Sequence, residues 1–200
     1  MSFFSKTAYT LFSSYSSYLA EYMPDIKANI KKAKMQTSAE EYFSKAMLIS
    51  LIVFMIEVPA ISFMISLFYQ NYLVGLFTAF TVSAALSVLF FYIYINYPKT
   101  LVMDRRKRID AVLPFATLYL STSAGTNLPV DKVLRIFTKF SAYKEVIREV
   151  NDVINDIDNL GIDVYTALER GAERSPSKKF KDLLWGMLST LRSGGNLSDY

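Results

Sequence analysis

The sequence predicts an all-α membrane protein in which a membrane helical hairpin is followed by a cytoplasmic antiparallel helix bundle. Residues 46–97 contain a single charged side chain, Glu57, which indicates membrane-spanning helices. After Pro98, apolar residues recur with helical period, and Gly or Pro separates the periodic segments. Three regions follow: an N-terminal cytoplasmic amphipathic region (1–45), two spans (46–98) and a cytoplasmic bundle (99–200).

The composition narrows the possible functions. Hydrophobic residues make up 52% of the chain, which is high for a soluble domain. The chain has neither Cys nor His, so disulfides, most zinc or haem sites and histidine-based catalysis are excluded. The net charge of +4 is modest and does not indicate a nucleic-acid binder. We therefore expect no enzymatic activity, no cofactor, no metal site and no nucleic-acid partner.

The N-terminal region predicts a weakly amphipathic helix over residues 3–34 with Ser-rich interruptions. Its mixed, Ser- and Tyr-rich start lacks the compact apolar core of a signal peptide. Ser38 and Glu41 have the spacing of a capping box. A new helix should therefore begin here and continue into the apolar region.

The apolar region is too long for one span and suits two, at about 46–69 and about 72–97. The connecting residues 69–72 form a short uncharged turn flanked by Tyr, which favours the membrane interface. Basic residues precede the first span and follow the second, so both ends should face the cytoplasm. A buried hairpin of a globular protein is the alternative.

The bundle should contain several amphipathic helices. Residues 101–124 form the first, kinked or divided at Pro114. Helices over 129–141 and 143–160 follow; the second has a narrow apolar seam that suits either the bundle core or a dimer contact. Asp163 should cap a helix to about 173, and Ser175 another with Pro176 at its first position. The expected core positions of the first three helices are Ile109, Val112, Leu113, Ala116, Leu120, Val130, Val133, Leu134, Phe137, Val146, Val150, Val153, Ile157 and Leu160. Those of the last helix are Phe180, Leu183, Leu184, Met187, Leu188 and Leu191.

Glycine and proline residues mark the predicted turns between bundle helices. Glycines 125, 161 and 195 recur 36 and 34 residues apart, and each should follow one periodic helix and precede a new one. That spacing is also typical of tetratricopeptide repeats, but their Trp/Gly/Tyr/Ala pattern does not align here. The predicted turn residues are Gly125, Pro129, Gly161, Pro176, Gly194 and Gly195.

Several of these pieces, taken in order, resemble one known family. They are Leu113-Pro114, Ala124-Gly125 with Leu128, Gly161 with Ala167-Leu168, Ser175-Pro176, and Gly194-Gly195-Asn196-Leu197. Together they resemble the type II secretion system F domain, most closely its archaeal branch, over about residues 105–200. Members of that family commonly have more spans and a second bundle, so a fragment of a longer chain is expected.

The resemblance implies a platform protein for pilus assembly or protein secretion in the cytoplasmic membrane. Such proteins contact a hexameric secretion ATPase and pilin or archaellin subunits, hydrolyse nothing themselves and usually act as homodimers. A type IV pilus-like or archaellum machine is the implied setting. The alternatives are a membrane-anchored helical adaptor or signalling scaffold, and a fragment of a transporter.

Two basic clusters and one intramembrane carboxyl group are the candidate sites. Either basic cluster could be an ordinary solvated or membrane-proximal surface that attracts anionic lipids. Either could instead dock the ATPase. Glu57, beside Pro59, could bond to a neighbouring helix or contact a pilin helix. The clusters comprise Arg105, Arg106, Lys107 and Arg108, and Lys178, Lys179 and Lys181.

Two segments resemble ligand-binding motifs but lack residues that those motifs require. A calcium loop starting at Asp156 would place Leu160 and Ala167 at positions that need oxygen ligands. The segment 192–199 lacks the Gly-Lys-Ser/Thr ending of a phosphate-binding loop. ATP binding should therefore come from a partner.

Overall fold

The computed structural model describes residues 3–67, 72–124, 129–139 and 143–194. Within these ranges every regular element of four or more residues is an α-helix, which confirms the all-α prediction. The helices are α1 (Phe3–Tyr22), α2 (Pro24–Lys32), α3 (Ala39–Ser66), α4 (Tyr72–Ala124), α5 (Val130–Phe137), α6 (Lys144–Leu160), α7 (Val164–Arg174) and α8 (Lys178–Arg192).

The chain divides into two compact units, Met1–Thr100 and Leu101–Tyr200. The first contains α1, α2, α3 and the first part of α4. The second contains the rest of α4 and α5 to α8. The predicted turn between the spans lies mostly outside the described residues.

Helices α3 and α4 pair antiparallel within the first unit. The Tyr42 hydroxyl donates to the Tyr94 carbonyl at 2.5 Å, near the start of α3. Further along α3, the Phe54 and Phe80 rings meet edge to face with centroids 5.3 Å apart. The α4 partner therefore moves backwards in sequence as α3 advances, as expected for a hairpin.

Helices α3 and α4 are long and apolar enough to cross a membrane. Their most apolar 18-residue windows have mean hydropathies of 2.4 and 2.1, and only 6% and 22% of these windows is buried. A core helix of a globular protein would be mostly buried, whereas Met55, Ile56 and Phe63 are all more than 60% exposed. Soluble monomers rarely expose continuous apolar surfaces of this kind. The two helices are therefore consistent with a membrane protein.

Proline divides the predicted N-terminal helix but does not divide the later ones. Pro24 starts α2, so residues 3–34 form two helices, because proline has no N–H and its ring hinders the preceding turn. In contrast, α3 continues through Pro59, and α4 continues through Pro98 and Pro114. The prediction that α4 ends near residue 97 and that a separate helix begins at 101 was therefore wrong.

Packing on both sides explains why Pro114 does not end α4. A proline inside a helix removes one backbone hydrogen bond. Leu113 before it and Ala116 and Leu120 after it are all buried in the same core. Burial of these neighbours favours one continuous helix over a break.

The core of the second unit lies between α4, α5, α6, α7 and α8, and it contains most of the predicted apolar positions. All four predicted α5 residues are buried. In α6, Val146, Val150 and Val153 are buried in this core, so that part of the seam is not a dimer contact. Leu160, predicted to continue the seam, is instead 64% exposed. Phe180, Leu184, Met187 and Leu188 of α8 complete the core.

The described turns agree with the predictions at Gly161 and Gly194. Gly161 is left-handed (φ 64°), and the N–H of Ile162 donates to the Asp156 carbonyl at 3.1 Å, closing the end of α6. Gly194 is also left-handed (φ 69°), just after α8. Asp163 caps α7, since its side chain accepts from the Thr166 N–H at 3.0 Å. Gly125 and Gly195 lie outside the described residues.

Two predicted proline positions differ by one or two residues. Pro129 precedes α5 as its N-cap rather than lying in its first turn. The cap of α8 is Ser177, not Ser175, so Pro176 lies outside that helix. Ser175 instead ends α7, and its hydroxyl accepts from the Ser177 N–H at 3.3 Å. Ser177 is better placed because its hydroxyl reaches the Phe180 N–H at 3.0 Å.

Candidate functional site

Arg105 differs from the other members of its basic cluster because it is buried. Its Nε lies 3.2 Å from Glu145 Oε2, and its Nη2 lies 2.7 Å from Glu149 Oε1. Arg105 and Glu149 are 4% and 3% exposed, so the pair is almost fully withdrawn from water. It joins α4 to α6 inside the second unit. Arg105 therefore does not belong to the surface that we predicted for docking, because its charge is already satisfied internally.

Arg106, Lys107 and Arg108 remain exposed on α4. The Arg106 side chain is 56% exposed and lies 3.6 Å from Asp110 Oδ2 through its Nε. The Arg108 side chain is equally exposed and lies 3.4 Å from Glu145 Oε1. Such exposed pairs contribute only about 0–1 kcal/mol and leave the guanidinium groups open to other partners.

A contact between α4 and α8 places the start of the second basic cluster near Arg106 of the first. The buried Ser177 hydroxyl, which caps α8, donates to Asp110 Oδ1. Asp110 is also the residue that pairs with Arg106. The first turns of α8 therefore lie beside the Arg106–Asp110 turn of α4, and Lys178, Lys179 and Lys181 are exposed there.

We call the six exposed cations the basic face: Arg106, Lys107, Arg108, Lys178, Lys179 and Lys181. Asp104, Asp110 and Asp182 lie among them in the sequence and only partly compensate their charge. Lysines at a helix start are disfavoured by the helix dipole, whereas Asp110 beside the α8 N-terminus is favoured by it. The arrangement suits binding of an acidic surface, and sequence reasoning treated its two halves separately.

Glu57 contacts the neighbouring span. The Ser87 hydroxyl of α4 lies 3.4 Å from Glu57 Oε2, and Ser50 donates to the Ser87 carbonyl at 3.1 Å. Glu57 is half-buried, with Pro59 half a turn further along α3. A carboxyl group at this depth is costly unless it is paired, protonated or hydrated. The serine contact is the neighbouring-helix bond that the sequence suggested.

Gly171 permits a close approach between α6 and α7, which the sequence patterns did not predict. A Cβ at this position would lie 2.5 Å from Val153 Cγ2. Helices α6 and α7 therefore approach each other at a glycine. The adjacent small residues Gly171 and Ala172, one turn after the buried Ala167 and Leu168, are the sequence signal that could have indicated it.

Asp110, Ser177, Glu145 and Glu149 were also missed, for a different reason. Each acquires its role through a residue on another helix, so local patterns do not reveal it. Among the residues that the structure describes, no group of three or more acidic side chains is arranged to hold a metal ion.

Comparison with known proteins identifies a domain in the second half of the chain. Residues 116–200 match the family model described as "Type II secretion system (T2SS), protein F". This confirms the predicted resemblance. Residues 116–200, less than half of the chain, are thus similar to a T2SS F domain, and the two candidate membrane helices precede them.

One similar protein is an archaeal relative, "Uncharacterized protein MJ1286" of Methanocaldococcus jannaschii. It is 26% identical over 103 residues, which is 52% of this chain and 17% of the relative. The chain therefore spans less than a fifth of the relative's length. No solved structure matches the chain.

Proposed function

We propose that this chain is part of an integral membrane platform that couples a hexameric secretion ATPase to the insertion or extrusion of pilin-like subunits. The T2SS F domain supports this role. The observation that carries it is the basic face, where Arg106 and the start of α8, which bears the second cluster, both contact Asp110. An acidic surface of a cytoplasmic motor fits this chemistry.

The second unit is suited to transmitting force. Arg105 joins α4 to α6 by a buried ion pair, and α6 approaches α7 closely at Gly171. A load applied at the basic face would therefore act on a packed bundle rather than on a loose loop. Helix α4 carries both Arg106–Arg108 and the second candidate span, so we assign it the coupling role.

The surroundings of this platform are also part of the proposal. The basic residues flanking the spans favour a multi-pass protein whose N-terminus and bundle face the cytoplasm. The archaeal relative favours an archaeal setting. The type IV pilus-like or archaellum machine is what the family resemblance implies. A homodimer is the assembly that the family resemblance implies.

Binding to the secretion ATPase of the same cell tests the proposal. The full chain in nanodiscs would be compared with the triple variants R106E/K107E/R108E and K178E/K179E/K181E. The variant K132E/K139E/K144E is the matched control, since it reverses three exposed charges elsewhere in the second unit. We expect salt-sensitive binding that weakens about tenfold or more in the first two variants and stays unchanged in the control.

Other results would lead to different conclusions. Equal loss in all three variants would indicate general charge attraction and remove the basic face as a specific site. Absence of binding by the folded chain would favour a membrane-anchored adaptor that does not depend on the motor.

The contact of Glu57 with Ser87 favours one second candidate, a transporter fragment. In a transport path, Glu57→Gln should abolish transport while the bundle is dispensable. In a platform, Glu57→Gln should leave ATPase binding unchanged and affect only subunit passage, through a polar contact with a pilin helix. Measuring both quantities on one variant separates the two functions.

A further inference from the structure

Helix α1 has three faces of different chemistry. Its buried face consists of small residues, Ser5, Ala8, Ser16 and Ala20. A second face is exposed and mainly aromatic. The third face is polar and includes Lys6, Thr10, Ser14, Ser17 and Glu21. With 3.6 residues per turn, these three sets lie at about one third of a turn from each other.

The exposed aromatic face consists of Phe4, Leu11, Tyr15, Tyr18 and Tyr22. Their spacings of 7, 4, 3 and 4 residues place all of them in one stripe along the helix. The last four are between 60% and 77% exposed. An exposed apolar stripe that extends over five helical turns indicates contact with something other than water.

The position of α1 within the first unit indicates which occupant this is. Helix α1 packs against α3, and the Tyr9 hydroxyl lies 3.3 Å from Glu40 Oε2 in the first turn of α3. That turn lies just before the apolar part of α3, where Leu51, Ile52 and Met55 are exposed. Part of α1 is therefore at the level where the span would leave the hydrocarbon core.

The residue types favour lipid over a protein partner. Three of the five residues are Tyr, whose ring is apolar and whose hydroxyl prefers water, so it concentrates at membrane interfaces. The neighbouring helix α2 buries Ile26 and Ile30 against the first unit and exposes Lys27 and Lys31. Exposed lysines one turn apart on the helix that follows α1 complement anionic headgroups.

We infer that α1 is an interfacial helix that lies in the cytoplasmic leaflet, with its tyrosine stripe in lipid, its small-residue face against the protein and its polar face in water. This inference rests on the membrane hairpin of the proposed function but does not depend on ATPase binding. It replaces a free cytoplasmic amphipathic region with a membrane-embedded one. Helices of this kind insert about 5–10 Å below the headgroups.

Spin labels can test this arrangement because the chain has no Cys. Single variants L11C and Y18C place a label on the stripe, and S14C and S17C place one on the exposed polar face of the same helix. M55C, on the exposed face of α3, is the control for the membrane span. Accessibility to oxygen and to an aqueous nickel chelate would be measured on the full chain in nanodiscs containing phosphatidylcholine and phosphatidylglycerol.

We expect labels at 11 and 18 to be accessible to oxygen and protected from the nickel chelate, at a depth shallower than that of position 55. Labels at 14 and 17 should be accessible to the chelate. K27E/K31E should reduce the protection at 11 and 18, and this reduction should disappear in nanodiscs without phosphatidylglycerol.

Three results would overturn the inference. If the nickel chelate reaches all four α1 positions while position 55 is protected, the hairpin spans the membrane and α1 lies in water. If position 55 is also accessible, the membrane hairpin itself fails. If labels at 11 and 18 are protected from both reagents, a protein covers the stripe, and distances between labels on two copies would identify a second copy.

Discussion

In the first unit, α1 packs against its neighbours through small side chains such as Ala8 and Ser16. In the second unit, α4 and α6 are joined by Arg105 with Glu145 and Glu149. The first unit exposes many apolar side chains on α1, α3 and the first part of α4, whereas the second buries most of its apolar residues and exposes most of its charges. The difference is what two surroundings, lipid and water, would require of packed helices.

The comparison also shows where each unit should be sensitive to mutation. Close packing of small residues depends on volume, and a buried ion pair depends on keeping both charges. The single Trp185 packs against the core of the second unit, so its fluorescence reports unfolding of that unit.

The largest effect is expected from Arg105→Met. Removing one partner of a buried ion pair leaves Glu149 uncompensated and typically costs about 3–5 kcal/mol. Urea unfolding of the full chain in detergent, followed by Trp185 fluorescence, should show this loss. Arg192→Met is the control, because Arg192 is 58% exposed and lies 3.7 Å from Glu169, so it should change little. An equal effect of the two variants would mean that the buried pair has no special role.

Gly171→Ala should have the next largest effect. The added Cβ would lie 2.5 Å from Val153 Cγ2, so α6 and α7 must separate or Val153 must move. Overpacking of this kind typically costs about 1–3 kcal/mol. The double variant G171A/V153A should regain part of the lost stability relative to the sum of the single variants. Simple additivity would contradict a direct clash.

Ser177→Ala should cost about 0.5–2 kcal/mol, the usual range for loss of an N-cap. The variant loses both the N-cap hydrogen bond that Ser177 accepts from the Phe180 N–H and the contact with Asp110. Ser38→Ala is the matched variant in the first unit, where Ser38 caps α3. If the two units unfold separately, Trp185 fluorescence should report the loss of stability in Ser177→Ala but not in Ser38→Ala. If both shift the Trp185 transition equally, the chain unfolds as one cooperative system.

The smallest effect concerns pH. Two hydrogen bonds from the Arg135 guanidinium lower the pKa of Asp158 below its ordinary value of 3.8. The Thr166 hydroxyl and N–H likewise lower the pKa of Asp163. A lowered carboxyl pKa contributes stability above the ordinary value, and this stability is lost as pH falls through the folded pKa. The urea midpoint measured by Trp185 should therefore fall below about pH 4.

Asp158→Asn separates the contribution of this residue. The urea midpoint of this variant should be lower than that of the wild type at neutral pH, and the difference between the two midpoints should shrink as the pH is lowered. A constant difference across the pH range would exclude the Arg135 contact as the source of the acid sensitivity.

Local sequence patterns predicted the helices and their polarity well. The α5 stripe and the first three seam valines of α6 are buried as expected. In α8, four of the six predicted core positions are buried, and Leu183 and Leu191 are partly buried. These predictions succeed because helical periodicity brings residues three and four apart to one face without help from distant parts of the chain. The caps at Ser38 and Asp163 succeed for the same local reason.

Predictions that required neighbours on other helices were less successful. Pro114 does not divide α4, because Leu113, Ala116 and Leu120 bury the helix on both sides of it. Arg105 looks like its exposed neighbours in the sequence, but α6 presents two carboxylates to it. The cap of α8 moved to Ser177, whose hydroxyl also reaches Asp110 of α4.

The sequence by itself determined an all-α chain, two long apolar helices and a following set of amphipathic helices, because hydrophobic period, run length and Gly and Pro positions are local properties. The tertiary structure decided which charges are exposed, since the partners of Arg105 and Ser177 are 40 and 67 residues away. It also decided that the small residues of α1 are buried and its tyrosines exposed. Periodicity defines the faces of a helix, but only packing determines which face meets protein.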